Sequence, residues 1–422
     1  MQTVDLLLHS AAQLCTVPGP GPQRGARLGT LGIIADGAVA VNEGRIVGVG
    51  PSSDLRGRYE ARANIDAGGS CVLPGFVDPH THLPWAGDRA DEFEQRVQGA
   101  SYMEIMAGGG GIMSTVRATR RATAQELAQA NLSRLRRMLE FGTTSAEAKT
   151  GYGLQTAAEL KQLDAMRLLN QQQAVELTYT FLPAHAVPEE FDGRTEAYVG
   201  RVIDEMLPAG AAWMEQNGSA LFCDVFCEEG VFDIDQTRRI LQRAETLGYR
   251  LKVHADEFAG LGGTGLAVEL GAVSADHLVK TPPEDIVALG QGETIAVGLP
   301  GTPFGLGHRE YTPAGQILAA GGALALATDL NPGTCWCESM QMIMALACRY
   351  MGLTQAQALA ASTLNAAHAI GRGDEVGSLE VGKQADMLLL TASDYRMLGY
   401  RFGTNLVRTV IKRGQVVAGM LP

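Results

Sequence analysis

Residues 71–82 read CVLPGFVDPHTH. The run from Cys71 to Val77 is largely apolar and bounded by turn formers, as a buried strand should be, and its end turns polar with Asp78, His80 and His82. In extended backbone, side chains two apart point the same way, so the two imidazoles can reach one ion. An HxH pair alone is as easily a structural pair. Asp78 lies two residues before His80 on that face, and a carboxylate behind a ligating imidazole fixes its tautomer. This company favours a metal.

Seven further runs follow the same plan: TTSAEAK, VELTYTFLPAH, ALFCDVFCEE, YRLKVHADE, GAVSADH, ETIAVGLPG and ALALATD. Helical patterns lie between them. Ala128, Leu132, Leu135 and Leu139 share one face, ended by Gly142; Ile240, Leu241, Ala244 and Leu247 share another, closed by Gly248. Eight strands alternating with helices over about 300 residues predict an α/β fold, a (β/α)8 barrel. The strand ends carry His80 and His82, Glu147 and Lys149, His185, Glu228 and Glu229, His254 and Glu257, His277, and Asp329. Barrels build their sites at that face, so these groups should converge on one mouth.

The two ends of the chain differ from its middle. IIADGAVAVNEGRIVGVG near the start, and GSLEVGKQADMLLL and VRTVIKRGQVVAG near the end, are short β-prone runs broken by turns. They predict a small β-sandwich domain assembled from residues 1–72 and 376–422, flanking a barrel over 73–375. With 46% hydrophobic and 19% charged residues the composition is that of a soluble globular protein. A net charge of −12 argues against nucleic acid as a partner. The start, MQTVDLLLHSAAQLC, lacks a basic segment and a sustained apolar core, and no stretch approaches the roughly 20 apolar residues of a membrane span. Seven scattered cysteines imply no disulfide framework, and a cytoplasmic protein is expected.

Within the barrel, His254 ends the apolar run LKV, and Glu257 three residues on can serve as general acid and base beside a metal-activated water. His277, ending GAVSADH, could ligate the metal or hold the water; the second role is preferred. Asp329 ends an apolar strand, where a carboxylate needs a buried partner that a metal supplies. His80, His82, His254 and Asp329 thus form a donor set that suits one zinc or iron(II) ion rather than calcium or magnesium. Cys223 with Cys227, and Cys335 with Cys337, lack the paired CxxC spacing of a structural zinc site. Glycines 108–111 lack the Gly-Lys-Ser/Thr ending of a phosphate loop. His9, His308 and His368 have no ligand-type neighbours.

The order PGFVDPHTH, a strand-end histidine with a glutamate three on, a second strand-end histidine and TDLNPG resembles the amidohydrolase superfamily. GDRADEF, SYMEIMAGGGGIMSTVRATR, EAKTGYGL, FLPAHAVP, DVFCEEGVF, KVHADEF and ATDLNPGT are similar, more narrowly, to the imidazolonepropionase family. The resemblance implies hydrolysis of 4-imidazolone-5-propanoate to N-formimidoyl-L-glutamate with one zinc or iron held by His80, His82, His254 and Asp329. It implies substrate contacts from Arg89, Tyr152, His185, Glu257 and Asn331, with Gly333 and Thr334 on the product side and Tyr102 a weaker candidate. Catalysis would fall to Glu257, aided by His277 and Asp329, with His185 at the developing oxyanion. A fork-shaped, always-charged guanidinium such as Arg89 suits a small anionic substrate. A homodimer is also implied. The rivals are a related deaminase acting on a purine or pyrimidine, and a barrel that has lost catalysis and serves as an interaction module.

Overall fold

The computed structural model describes residues 1–100 and 110–421. Five strands open the chain: β1 (Gln2–Cys15), β2 (Ile33–Asn42), β3 (Arg45–Pro51), β4 (Tyr59–Asp66) and β5 (Cys71–Pro74). The barrel strands follow as β6 (Phe76–Asp78), β7 (Thr143–Lys149), β8 (Glu176–Ala184), β9 (Leu221–Cys227), β10 (Arg250–Ala255), β11 (Ser274–His277), β12 (Ile295–Gly298) and β13 (Leu324–Leu326). The chain ends with β14 (Met387–Leu390), β15 (Val407–Lys412) and β16 (Gln415–Gly419).

The terminal strands form one sheet in the order β16-β15-β14-β5-β1-β2-β3, with β4 beside β1. Its register joins the chain ends: Leu73 of β5 lies opposite Leu388 of β14. The run CVLPGFVD, read above as one strand, divides between two sheets. Cys71–Pro74 belongs to the terminal sheet, and Phe76–Asp78 begins the barrel. Gly75 makes the transfer because a Cβ there would lie 2.2 Å from Thr144 Oγ1.

The barrel strands are parallel and neighbour one another in sequence order from β6 to β13. Helices cover them, as the apolar periodicity requires. Ala124–Glu140 buries Leu127, Ala128, Leu132, Leu135 and Leu139, and Thr123 with Glu126 forms a capping box at its start. Asp233 and Gln236 do the same for Ile234–Thr246. The two end strands meet at the rim, where Asp329 N donates to His80 O (3.1 Å) and His82 N to Leu330 O (3.0 Å). Among the described residues no helix is long and apolar enough to cross a membrane.

The barrel and the terminal sheet are joined by charge. Glu176, at the start of β8, pairs with Arg372 (2.9 Å), Lys412 (2.8 Å) and Arg413. Burial alone would raise its carboxyl, but Lys412 and Arg372 overcome that and hold it at about 2.

Candidate metal centre and active site

Four side-chain atoms converge at the C-terminal mouth. His80 Nε2 lies 3.3 Å from His82 Nε2 and 3.5 Å from Asp329 Oδ1. His82 Nε2 lies 3.3 Å from Asp329 Oδ1 and 3.5 Å from His254 Nε2. Ligands about 2.1 Å from a tetrahedral centre stand about 3.4 Å apart, so this spacing fits one small cation. The proton inventory agrees. His80 Nδ1 is bonded to Asp276 Oδ2 at 2.7 Å, which leaves its Nε2 as a lone pair facing the centre. His254 Nδ1 lies 2.9 Å from Asp224 Oδ2, off the line of a good hydrogen bond, but the carboxylate's charge favours the proton on that nitrogen and so leaves Nε2 facing the centre. Thr302 donates to Asp329 Oδ2, whereas Oδ1 is buried with no hydrogen-bond partner. Lone pairs and a carboxylate oxygen packed together out of water need a positive charge between them.

Burial, then the charge of Lys149 and the neighbouring imidazoles, holds His80 well below the ordinary histidine range. Burial and His254 do the same to His82. Neutral imidazoles are the form that ligates. Asp329 (φ 55°) and His277 (φ 82°) occupy left-handed backbone, a region that aspartate and histidine enter more readily than most side chains.

Around this centre stand the other residues singled out from the sequence. His185 stacks on His82, with ring centroids 4.8 Å apart and planes 11° from parallel, and its Nδ1 donates to Gly151 O at 3.0 Å. Tyr152 is buried with its ring 5.4 Å from that of His185. The Glu257 side chain is 9% exposed, and its Oε2 lies 3.6 Å from His277 Nε2. Burial, reinforced by Asp329 and Glu228, pushes the Glu257 carboxyl well above its usual value, while burial brings His277 down to about 3. Arg89 is half-buried, with its Nε donating to Thr115 Oγ1 at 3.0 Å. Its guanidinium packs on Gly333, where a Cβ would stand 2.4 Å from Nη1. Arg89 and Thr334 line a cavity of about 630 Å3 together with Phe93, Arg96 and Phe304. The Asn331 amide is spent within its own loop: Nδ2 donates to Asp329 O and Thr334 Oγ1, and Oδ1 accepts from Gly333 N and Thr334 N. Tyr102 and glycines 108 and 109 lie outside the described residues.

Residues 71–417 match the model of the amidohydrolase family. The chain is 53% identical over 420 residues to the imidazolonepropionase of Herpetosiphon aurantiacus, covering 99% of this chain and 98% of that one. It is 52% identical to the imidazolonepropionase of Chloroflexus aggregans, covering 99% of both. The chain belongs to the amidohydrolase family, and within it to the imidazolonepropionase family. A zinc-bound adenosine deaminase from Xanthomonas campestris superposes with a TM-score of 0.71 over 98% of this chain and 93% of its own, at 20% identity, a likeness of fold.

This imidazolonepropionase-family barrel rests on buried charges, of which the sequence reading singled out Glu147 and Lys149 as strand ends but not Asp224 or Lys252. Lys149 pairs with Asp224 (2.7 Å) and Glu147 (2.9 Å), and Lys252 with Glu147 (2.8 Å), all wholly buried. Burial alone would lower Lys149, but Asp224, Glu147 and Asp276 hold it protonated. It is thereby a counter-ion below the centre. The carboxylate behind His80 is Asp276, not Asp78. Strand β6 ends at Asp78, so the alternation assumed through His80 stops short. The Asp78 carboxylate instead accepts from Thr328 N (3.1 Å) and Oγ1 (2.6 Å), tying the first strand to the last. Glu228, noted only as a strand end, accepts from Phe258 N and Ala259 N and so sets the backbone after Glu257.

Proposed function

We propose that the protein hydrolyses 4-imidazolone-5-propanoate to N-formimidoyl-L-glutamate. The observation that carries this reading is identity above 50% across essentially the whole chain with imidazolonepropionases. The convergence of His80, His82, His254 and Asp329 supports a hydrolytic centre at the end of the same barrel. Relatives at this identity favour ring opening over purine or pyrimidine deamination, because the deaminase likeness is one of fold.

Those four residues would hold one divalent ion, zinc or iron(II), since nitrogen and carboxylate donors accept either. Such an ion supplies acidified water and carbonyl polarisation. The chain's own residues do the rest. Arg89 pairs with the propionate tail, and Gly333 and Thr334 border its end. Asn331 acts by bracing that loop, in keeping with its internal hydrogen bonds. Tyr152 and His185 hold the ring, with His185 Nε2 turned to the carbonyl oxygen and Nδ1 fixed by Gly151 O. Glu257 takes a proton as water oxygen bonds to the ring carbonyl carbon, with His277 orienting its carboxyl. It returns the proton to the adjacent ring nitrogen as the C–N bond breaks, which leaves a formimidoyl amine and a carboxylic acid that loses its remaining proton to solvent. Residues 73–375 would carry this chemistry, with 1–72 and 376–422 as the accompanying small domain, in a cytoplasmic homodimer.

The test is incubation of freshly made imidazolone propionate with the purified protein, with and without chelator. Chelator-sensitive loss of the substrate's ultraviolet absorbance and appearance of N-formimidoyl-glutamate support the reading. Ammonia release from guanine or cytosine without that activity overturns it.

A further inference from the structure

The seam between the first and last barrel strands carries three of the four converging groups, His80, His82 and Asp329. Two main-chain hydrogen bonds at the rim and the Asp78–Thr328 contacts cross it. Above it, residues from three segments interlock. Trp85, fully buried just after the HTH stretch, meets Trp336 edge-on, with ring centroids 5.2 Å apart and planes at 85°. The guanidinium of Arg134, from helix Ala124–Glu140, stands 3.9 Å from the Trp85 ring centroid and 4.8 Å from that of Trp336. It also donates to Trp85 O at 3.1 Å, and Asn131 Nδ2 donates to the same carbonyl at 2.9 Å.

Trp336 is 45% exposed, so its ring is not there to fill a core. The segment before it is a single stiff unit. Asn331 N donates to Cys335 O at 3.0 Å, and the Asn331 amide braces Gly333 and Thr334. Holding Trp336 therefore holds Gly333, and Gly333 in turn packs on the Arg89 guanidinium and accepts from Arg96 at 3.0 Å. We propose that Arg134, gripping Trp85 and Trp336, is a positioning residue that sets loop 331–335 against Arg89 and thereby governs affinity for the anionic end of the substrate. The assignment of that anion rests on the function proposed above; the clamp itself rests on the geometry.

The test uses the full-length, metal-loaded protein as Arg134→Lys, Trp336→Ala and Trp336→Phe. Lysine keeps the charge but not the planar face, and phenylalanine keeps a π face on a half-exposed site. A clamp predicts that Arg134→Lys and Trp336→Ala raise KM for imidazolone propionate roughly 3- to 30-fold, with kcat changed less than about twofold, and that Trp336→Phe restores most of the loss. Metal content should stay at the wild-type value. A readout independent of turnover is the rate at which maleimide labels Cys337, half-buried next to Trp336, followed by peptide mass spectrometry. Arg134→Lys should raise that rate at least about fivefold as the loop loosens. The clamp is refuted if Arg134→Lys leaves both KM and labelling unchanged, or if kcat and metal content fall together, as they would for general support of the fold. Faster labelling in Arg134→Lys, with a wild-type protein that does not turn over imidazolone propionate, would sink the proposed activity and leave the clamp standing.

Discussion

Replacing Asp276 by asparagine separates what lies behind His80 from what merely lies near it. Asp276 Oδ2 faces His80 Nδ1 at 2.7 Å, and its Oδ1 accepts from Ser274 Oγ at 2.6 Å. Asparagine keeps the shape, can accept from the imidazole through its carbonyl and can donate to the serine hydroxyl. What it removes is one negative charge about 7 Å, across the ring, from the point where the four donor atoms converge; at an effective dielectric near 20 that is worth at most about 5 kcal/mol toward a dication. The retained hydrogen bond offsets part of this, and partners of ligating histidines typically contribute about 10- to 100-fold in metal affinity, or about 1.4–2.7 kcal/mol. The loss should fall near the upper end of that range. The metal-free protein should still fold, because Lys149 keeps Asp224 and Glu147, and Lys252 keeps Glu147 and Pro79 O. Competition with a chromophoric chelator for zinc gives the affinity, and thermal melting of the metal-free protein gives the control. Asp78→Asn is the companion variant: Asp78 holds Thr328 rather than an imidazole, so affinity should fall by less than about threefold. Equal losses in the two variants, or none with Asp276→Asn, would refute the reasoning.

Three further outcomes are expected. Arg89→Lys, which gives up the planar fork, should raise KM about tenfold or more with a smaller change in kcat, measured by steady-state kinetics. Glu257→Gln should retain metal and lower kcat by about 10²- to 10⁴-fold; metal loss alongside the activity would point to a ligand instead. Glu176 should make stability acid-sensitive. Its folded carboxyl, at about 2, lies below the ordinary 4.5, so its contribution is complete above about pH 4.5 and drains away as the pH falls towards 2. Urea melts of wild type and Glu176→Gln should differ by about 2 kcal/mol near neutral pH, allowing for partial exposure, and by less than half of that near pH 3; a constant gap would assign the effect to packing.

The barrel was legible because each strand announces itself twice, by an apolar run and by a polar residue where the run meets the mouth. The convergence of His80, His82, His254 and Asp329 was legible for the same reason, since a strand end fixes where a side chain points. What governs those side chains was not. Asp276 reaches His80 across the barrel from β11, and no spacing in the text announces that partnership, whereas Asp78 stood two residues away and invited a local reading. Lys149 read as a strand end facing the mouth and Lys252 drew no notice, yet both counter the carboxylates beneath the centre. Asn331 was implied as a substrate contact by resemblance alone, and no spacing announced that its amide would also bond within its own turn. The tryptophan beside Cys335 and Cys337 had no meaning until Arg134, some two hundred positions earlier, came to lie against its ring.

Gly75 has a consequence for biosynthesis. One residue separates a strand of the terminal sheet from the strand that leads into His80 and His82, and the first of these pairs with Leu388 and its neighbours near the opposite end of the chain. A ribosome therefore delivers two of the donors early, but their anchor cannot be completed until nearly the whole polypeptide has emerged. Prematurely terminated copies would be left inert rather than half-active, and ion capture becomes one of the last events in the protein's maturation.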